Sequence, residues 1–278
     1  MSLKGIATET LKMFEQGGYT NSTGHFVSLQ PALQRAVAGT VLHAPEQAHA
    51  LLQGAQAGAG QQAPLCRVVH ESTQVAAHRM AALEGVTDVV ALNFASARNP
   101  GGGFINGAKA QEEDVARCSG LYPCLLTQPT YYSANRATES MLYTDHLIYS
   151  PGVPWFRTRN RELLDASFEA AIITAPAPNA GQALMRDAGC GAAIEATLRR
   201  RAGLVLAVAR AHGHRNLLLG AWGCGVFRND PAMVADAFGA WLEGAEFQGC
   251  FDRAEFAVYD STPDLHVLSA FQARFPDR

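Results

Sequence analysis

The sequence is short of charge. Of its 278 residues, 17% are Asp, Glu, Lys or Arg, against roughly 25% in a typical soluble domain. The formal net charge is −3. That balance excludes a strongly basic nucleic-acid binder and an acidic disordered tail. Long apolar runs are lacking as well. No stretch approaches the roughly 18 apolar residues of a membrane span, and the apolar segment Leu204–Ala209 is bounded by Arg199-Arg200-Arg201 and Arg210. The start, Met1-Ser2-Leu3-Lys4-Gly5, has no apolar h-region, so no signal peptide is expected. The cysteines, Cys66, Cys118, Cys124, Cys190, Cys224 and Cys250, include no CxxC pair, which excludes a zinc knuckle and a thioredoxin motif. A large chain without an export signal keeps such thiols reduced, and a cytoplasmic location is expected. The phosphate-loop pattern GxxxxGK[ST] is absent too. Gly and Pro together make about 14% of the chain, below the roughly 25–30% of low-complexity sequence.

What is there is an alternation of strands and helices. Residues 5–16 read as a first helix, stopped by Gly17-Gly18. His25–Leu29 and Thr40–His43 read as short strands, with a helix over Glu46–Gln53. Gly54–Gln62 contains only Gly, Ala and Gln and reads as a surface loop. It marks a boundary between an N-terminal accessory segment, 1–62, and a core, 63–278. The core begins with a strand at Leu65–Val69 and a helix from Ser72, as N-cap, to about Leu83. Asp88–Phe94, with Val89-Val90-Ala91-Leu92, is the clearest buried strand. A helix near Gln111–Leu121 and strands at Asp145–Tyr149 and Ala170–Ala175 follow. Then come a long helix over Cys190–His212 and a strand at Asn216–Gly220. Asp230-Pro231 opens a helix through Leu242, with Asp as cap and Pro in the first turn. A strand at Glu255–Tyr259 and a helix at Leu265–Phe275 complete the chain. Strands separated by helices predict an α/β/α sandwich.

Two Gly-rich loops each leave a buried strand and precede a helix. One is Asn99-Pro100-Gly101-Gly102-Gly103-Phe104, the other runs from Gly220 to Asn229. Taken singly, each is an ordinary turn. Together, at the carboxyl ends of strands, they predict a two-sided clamp on a phosphorylated or ribosylated ligand. Glycine there lets backbone N–H groups approach an anion. Gly223-Cys224-Gly225 is not completed to GxGxxG, because residue 228 is Arg, so a dinucleotide fold is not expected.

Eight residues after the glycine triplet stands Gln111-Glu112-Glu113-Asp114. Acids at a helix start favour the helix dipole whatever else they do. Next to a Gly-rich loop they also suit glycosidic bond cleavage, which uses carboxyl groups beside an anomeric carbon. The helix terminus lowers a carboxyl pKa, while burial and like charge raise it.

These residues resemble a family. Asn99-Pro100-Gly101-Gly102-Gly103, a seven-residue spacer and Gln111-Glu112-Glu113 are similar to the GGG-x(6–8)-QEE signature of poly(ADP-ribose) glycohydrolases. Asn93–Pro100, Ile6–Leu11 and Gly223–Pro231 resemble the bacterial-type branch, so the resemblance spans about residues 4–275. It implies a macrodomain-like three-layer α/β/α sandwich with a mixed central sheet and an N-terminal helical extension. It also implies that Glu113 is the catalytic acid/base, with Glu112 and Gln111 orienting it and contacting the ribose. Gly101, Gly102 and Gly103 would form the catalytic loop. Gly223, Gly225, Val226 and Phe227 would belong to the diphosphate loop, Phe227 lying against the distal ribose, and Ser96 and Asn99 would contact that ribose. The resemblance implies no metal or cofactor. The implied substrate is poly(ADP-ribose) or ADP-ribosylated protein, met by a monomer without membrane or sequence-specific nucleic acid. A non-catalytic ADP-ribose reader and a hydrolase of single protein-linked units are the competing functions.

Four other features have plainer readings. His212-Gly213-His214 sits at a helix end, where His suits the dipole. Arg199-Arg200-Arg201 spreads over several helix faces and reads as solvated surface. Cys224 reads as a small packing residue. Tyr131-Tyr132 and Trp155-Phe156 read as core.

Overall fold

The computed structural model describes residues 2–56, 58, 62–158 and 162–276. Two short strands, β1 (Gly18–Thr20) and β2 (Phe26–Ser28), form an antiparallel ribbon. Seven more make the main sheet: β3 (Val41–His43), β4 (Leu65–Val69), β5 (Val89–Phe94), β6 (Leu147–Arg157), β7 (Leu163–Ala175), β8 (Asn216–Gly220) and β9 (Arg253–Ala257). Their spatial order is β3-β6-β7-β5-β8-β9-β4. The run from β7 to β4 is parallel, while β3 and β6 pair antiparallel at one side. Six carboxyl ends therefore share one edge of a mixed sheet, β6 alone running the other way.

Both faces of the sheet are covered, which is why β5 and β8 are almost continuously apolar. Strand alternation divides their side chains between two cores. Val90, Leu92, Leu217, Leu219 and Phe256 pack with the helices Gly191–Ala211 and Pro231–Leu242. Val89, Ala91, Ile148, Ile172 and Leu218 pack on the other face with Ala76, Ala77, Leu121, Leu125, Tyr131 and Tyr132. The result is the expected three-layer sandwich. On the second face the apolar pattern stops at Asn93 and Thr174, both buried near strand ends.

The N-terminal helix Leu3–Gln16 is capped by Ser2, whose Oγ accepts from Gly5 N, and ends at Gly17 in the left-handed region. Ala7 of this helix packs on Phe104 and Ala116. Thr10 Oγ1 donates to Arg117 O at 3.1 Å. Of the loop expected at 54–62, residues 57 and 59–61 lie outside the described residues.

Several elements differ from the sequence reading. Ser72 does not cap with its hydroxyl, which is buried without a partner; its carbonyl takes Val75 N and Ala76 N instead. The helix expected to reach Leu121 ends at Cys118, because Ser119 is extended and bridges to Trp155. Helices at Gln30–Gly39, Leu121–Leu126, Pro129–Ala137 and Ala180–Arg186 were not expected. β6 runs through Pro151-Gly152 by means of a register shift there, a usual place for both residue types in a strand. The last strand lies two residues earlier than expected, where Arg253 pairs with both Leu65 and Asn216.

Arg201 corrects the reading of its arginine run. It is fully buried, and its guanidinium bonds Asp145 Oδ1 (3.0 Å), Pro176 O (2.6 Å) and Leu142 O (3.0 Å). Tyr131, Tyr132, Trp155 and Phe156 are buried core residues, as expected.

Candidate active site

The site is built at the carboxyl end of β5. The chain turns there through Gly101 and Gly102, both with positive φ (67° and 58°), a region that favours glycine. Space imposes the same choice at residue 102, where an added Cβ would stand 2.3 Å from Glu113 Oε1. Gly103 N donates to that same oxygen at 3.0 Å. Ser96 organises the upstream half of the loop: its Oγ accepts from Arg98 N and Asn99 N (3.3 and 3.2 Å). Asn99 is exposed, and its carbonyl accepts from Gly102 N at 3.0 Å.

The helix Gln111–Cys118 returns the acids to this loop. Gln111 Oε1 accepts from Phe94 N at 2.8 Å. Its Nε2 donates to Leu92 O (2.9 Å) and Thr73 Oγ1 (3.0 Å). The amide oxygen and one N–H thus bind the helix start to β5, and the other N–H binds it to Thr73 of the helix Thr73–His78, leaving no donor to offer a ligand. Successive helix positions turn by about 100°, and the three acids diverge accordingly. Glu112 is 2% exposed, with Oε1 accepting from Asn93 Nδ2 (3.1 Å) and Oε2 from Ser96 N (2.6 Å). Glu113 is half-buried against the glycine loop. Asp114 turns away and pairs with Arg117 at 2.6 Å.

Burial pushes the Glu112 carboxyl up to about 8, the neighbouring Glu113 charge adding to the effect. The bonds from Ser96 and Asn93 oppose it. At neutral pH the buried acid is therefore mostly protonated. The two adjacent glutamates do not place two full charges in one small space.

The second glycine loop leaves β8, the direct neighbour of β5. Gly223 has φ 74°, and an added Cβ would lie 2.4 Å from Asn229 Nδ2 and 2.5 Å from Ala177 Cβ. Buried Asn229 ties the loop down, its Nδ2 donating to Pro178 O (2.8 Å) and Gly223 O (3.1 Å). Asp230 then caps the next helix, accepting from Ala232 N and Met233 N. Between these fixed points Gly225, Val226 and Phe227 donate no backbone hydrogen bond among the described residues. Val226 is 76% exposed. Such consecutive open N–H groups suit an anion. Burial pushes the Cys224 thiol up to about 12, which makes it a poor nucleophile.

The structure thus brings Ser96, Asn99, Gly101–Gly103, Glu112 and Glu113 into one cluster, with Gly223–Phe227 on the adjoining strand. Three residues that the sequence reading missed support them. Asn93 holds Glu112 and also donates to Thr174 Oγ1 at 3.2 Å. The interruption of an apolar strand by Asn was the available signal. Thr174, on the neighbouring strand, gave the same one. Tyr143, whose ring lies 6.0 Å from that of Phe227, gave none. His212 and His214 lie elsewhere: His212 stacks on Tyr149, and His214 Nε2 bonds the Tyr149 hydroxyl at 2.8 Å. Among the described residues no group of three or more His, Cys, Asp or Glu is placed to hold a metal ion.

Residues 7–158 match the family described as microbial-type PARG, catalytic domain. The poly(ADP-ribose) glycohydrolase of Thermomonospora curvata is similar, with 45% identity, a TM-score of 0.93 and coverage of 98% of this chain and 99% of that one. A structure of that enzyme with the inhibitor ADP-HPD gives 44% identity and a TM-score of 0.89 over 98% and 99% of the two chains. The Deinococcus radiodurans poly(ADP-ribose) glycohydrolase in complex with ADP-ribose gives 47% identity and a TM-score of 0.81 over 88% and 96%. No curated protein matches the chain.

Proposed function

Because the chain belongs to the microbial-type poly(ADP-ribose) glycohydrolase family, we propose that its two loops hold the terminal ADP-ribose of a poly(ADP-ribose) chain for hydrolysis. The ribose–ribose O-glycosidic bond is cleaved, and ADP-ribose leaves from the chain end. One observation carries the assignment of roles. Glu113 Oε1 is seated on Gly103 N–H in front of β5, while Glu112 beside it is buried and held by Asn93 and Ser96. Only Glu113 of the pair stands at the open side of the loop.

The chemistry follows from that placement. With substrate bound, the diphosphate charge nearby favours the acid form of Glu113, which donates a proton to the leaving 2′-oxygen as the bond to the anomeric carbon breaks. Positive charge develops at that carbon, and the substrate diphosphate on the Gly223–Phe227 loop stabilises it. The Glu113 carboxylate then takes a proton from the water that attacks the anomeric carbon. The products are ADP-ribose and a polymer one unit shorter, and the proton is back on Glu113. Assistance of this kind contributes roughly 10²–10⁴-fold. Glu112 stays neutral and orients its neighbour. Gln111 fixes the helix start, Ser96 shapes the loop, and Phe227 and Asn99 border the distal ribose.

We read 63–278 as the catalytic core and 1–62 as an accessory segment that packs on it and adds β3 to the side of its sheet, acting as one monomeric unit. No helix among the described residues is long and apolar enough to cross a membrane. The unpaired Cys124 and Cys224 thiols are consistent with a reducing cytoplasm.

The direct test feeds automodified poly(ADP-ribosyl) polymerase to wild type and to Glu113→Gln. Wild type is expected to release monomeric ADP-ribose, and the variant to bind polymer without turnover. Full turnover by Glu113→Gln ends the assignment. Binding without product by wild type makes the protein a reader. Release only from mono-ADP-ribosylated protein makes it a hydrolase of single units.

A further inference from the structure

Tyr143 sits in the left-handed region, at φ 60°. That conformation is ordinary for glycine and an outlier for a bulky aromatic. Such strain persists only where the surroundings hold it in place, and it concentrates at ligand sites. Here the holding groups are visible. The carbonyl of Leu142, just before the strained residue, accepts from Arg201 Nη2 at 3.0 Å. Arg201 Nη1 donates to Pro176 O at 2.6 Å, and Asp145 Oδ1 accepts from Arg201 Nε at 3.0 Å. Asn179 N donates to Met141 O at 2.8 Å. The turn at Tyr143 and the loop after β7 are therefore one tied unit. That same loop abuts the second glycine loop, through Ala177 against Gly223 and Pro178 O on Asn229.

The unit delivers the Tyr143 ring to the site. Its centroid lies 6.0 Å from that of Phe227, with the planes inclined by 44°. Tyr143 thus stands beside the Gly223–Phe227 loop. A fully buried arginine is a large investment for positioning one turn, and the turn makes a strained residue face an aromatic one.

We propose that Tyr143 is a further substrate-binding residue, forming with Phe227 an aromatic corner that receives a ribose face of the terminal ADP-ribose. The proposal rests on the glycohydrolase reading above. Phe227 alone offers one wall, and Tyr143 supplies the second at an angle to it.

The test compares wild type, Tyr143→Gly and Tyr143→Phe by steady-state hydrolysis of poly(ADP-ribose), by calorimetric binding of ADP-ribose and by thermal melting. Glycine removes the ring and accepts φ 60° without strain. Tyr143→Gly is expected to melt at or above the wild-type temperature. Its KM rises about tenfold, the scale of one aromatic contact, with kcat within about twofold, and ADP-ribose binding weakens in parallel. Tyr143→Phe keeps the wild-type KM. A glycine variant with wild-type KM and wild-type ADP-ribose binding overturns the proposal. So does one that unfolds, since the ring is then a packing element. If wild type itself releases no ADP-ribose, the glycohydrolase reading fails. The calorimetric arm then still decides the Tyr143 contact by itself.

Discussion

Glu113 and Gly102 are fitted to each other: the glutamate Oε1 occupies the space, 2.3 Å away, that a side chain at 102 would enter. Gly102→Ala meets two obstacles, that contact and a φ of 58°. The outcome expected is displacement of Glu113 from Gly103 N–H and a fall in kcat of about 10²-fold or more, within the range for losing acid/base assistance. Melting temperature falls as well, through backbone strain of about 1–3 kcal/mol. Steady-state kinetics and calorimetry on the variant check both. An alanine variant of full kcat would show that Glu113 can work from another seat.

Glu112 makes stability depend on pH in a definite direction. Its carboxyl is raised from an ordinary 4.5 to about 8 by burial, with the Glu113 charge in addition. Between these values the folded state holds a proton that the unfolded state has released. Stability from this group is complete below about 4.5 and is lost as pH rises through about 8. Glu112→Gln removes the titration. Urea melts from pH 5 to 8.5 should decline for wild type and run flatter for the glutamine variant. Parallel curves would place the Glu112 pKa near its ordinary value.

The opposite slope comes from His212, beside the end of β3. His43 Nε2 and His212 Nε2 lie 3.0 Å apart. Burial, then the neighbouring His43 and His214, lowers the His212 imidazole from 6.5 to about 4. Below 6.5 the unfolded state takes up a proton that the folded state refuses. Stability is therefore lost as pH falls from about 6.5 through about 4. His212→Phe keeps a ring to stack on Tyr149 and removes the charge. Its loss of stability between pH 6.5 and 4 should be smaller than that of wild type, with thermal melts as the measurement.

Asp145 is the counter-charge of the buried Arg201. Asp145→Ala strands a guanidinium with no exposure, and removing one partner of such a pair costs about 3–5 kcal/mol. The released arginine also loosens its hold on Leu142 O and Pro176 O, so KM for polymer rises together with the instability. Denaturant unfolding and steady-state kinetics on the same preparation measure the two effects. A change below about 1 kcal/mol would mean that Arg201 finds another anion.

Much of the sandwich was legible because periodicity and capping are local. Val89–Leu92 announced a strand covered on both faces, and Asp230-Pro231 announced a helix start. The glycine triplet and the acids were legible by their spacing along the chain. What failed was long-range. Nothing near residue 201 shows that its guanidinium spans Asp145, Pro176 and Leu142, which come from distant parts of the chain. The strand expected to stop at Tyr149 is carried past Pro151-Gly152 by shifting register. Ser72 had the right side chain for a cap, but its carbonyl supplies the bonds. Gln111 was legible as a neighbour of the acids. Its commitment to Phe94, Leu92 and Thr73 became visible only when β5 and the helix were placed together.

The open N–H groups of Gly225, Val226 and Phe227 carry dipoles and no net charge. Binding through lysine and arginine releases condensed counterions from a polyanion and so weakens steeply with ionic strength. A grip made of peptide dipoles releases few. Affinity for the polymer end should therefore change little with ionic strength. A chain of net charge −3 then has little long-range pull on a polyanion, and on the proposed binding mode selectivity lies in the fit of the terminus between the two loops. On that binding mode such an enzyme would find ends by collision and hold them by shape, and other phosphate polymers would compete with it only weakly.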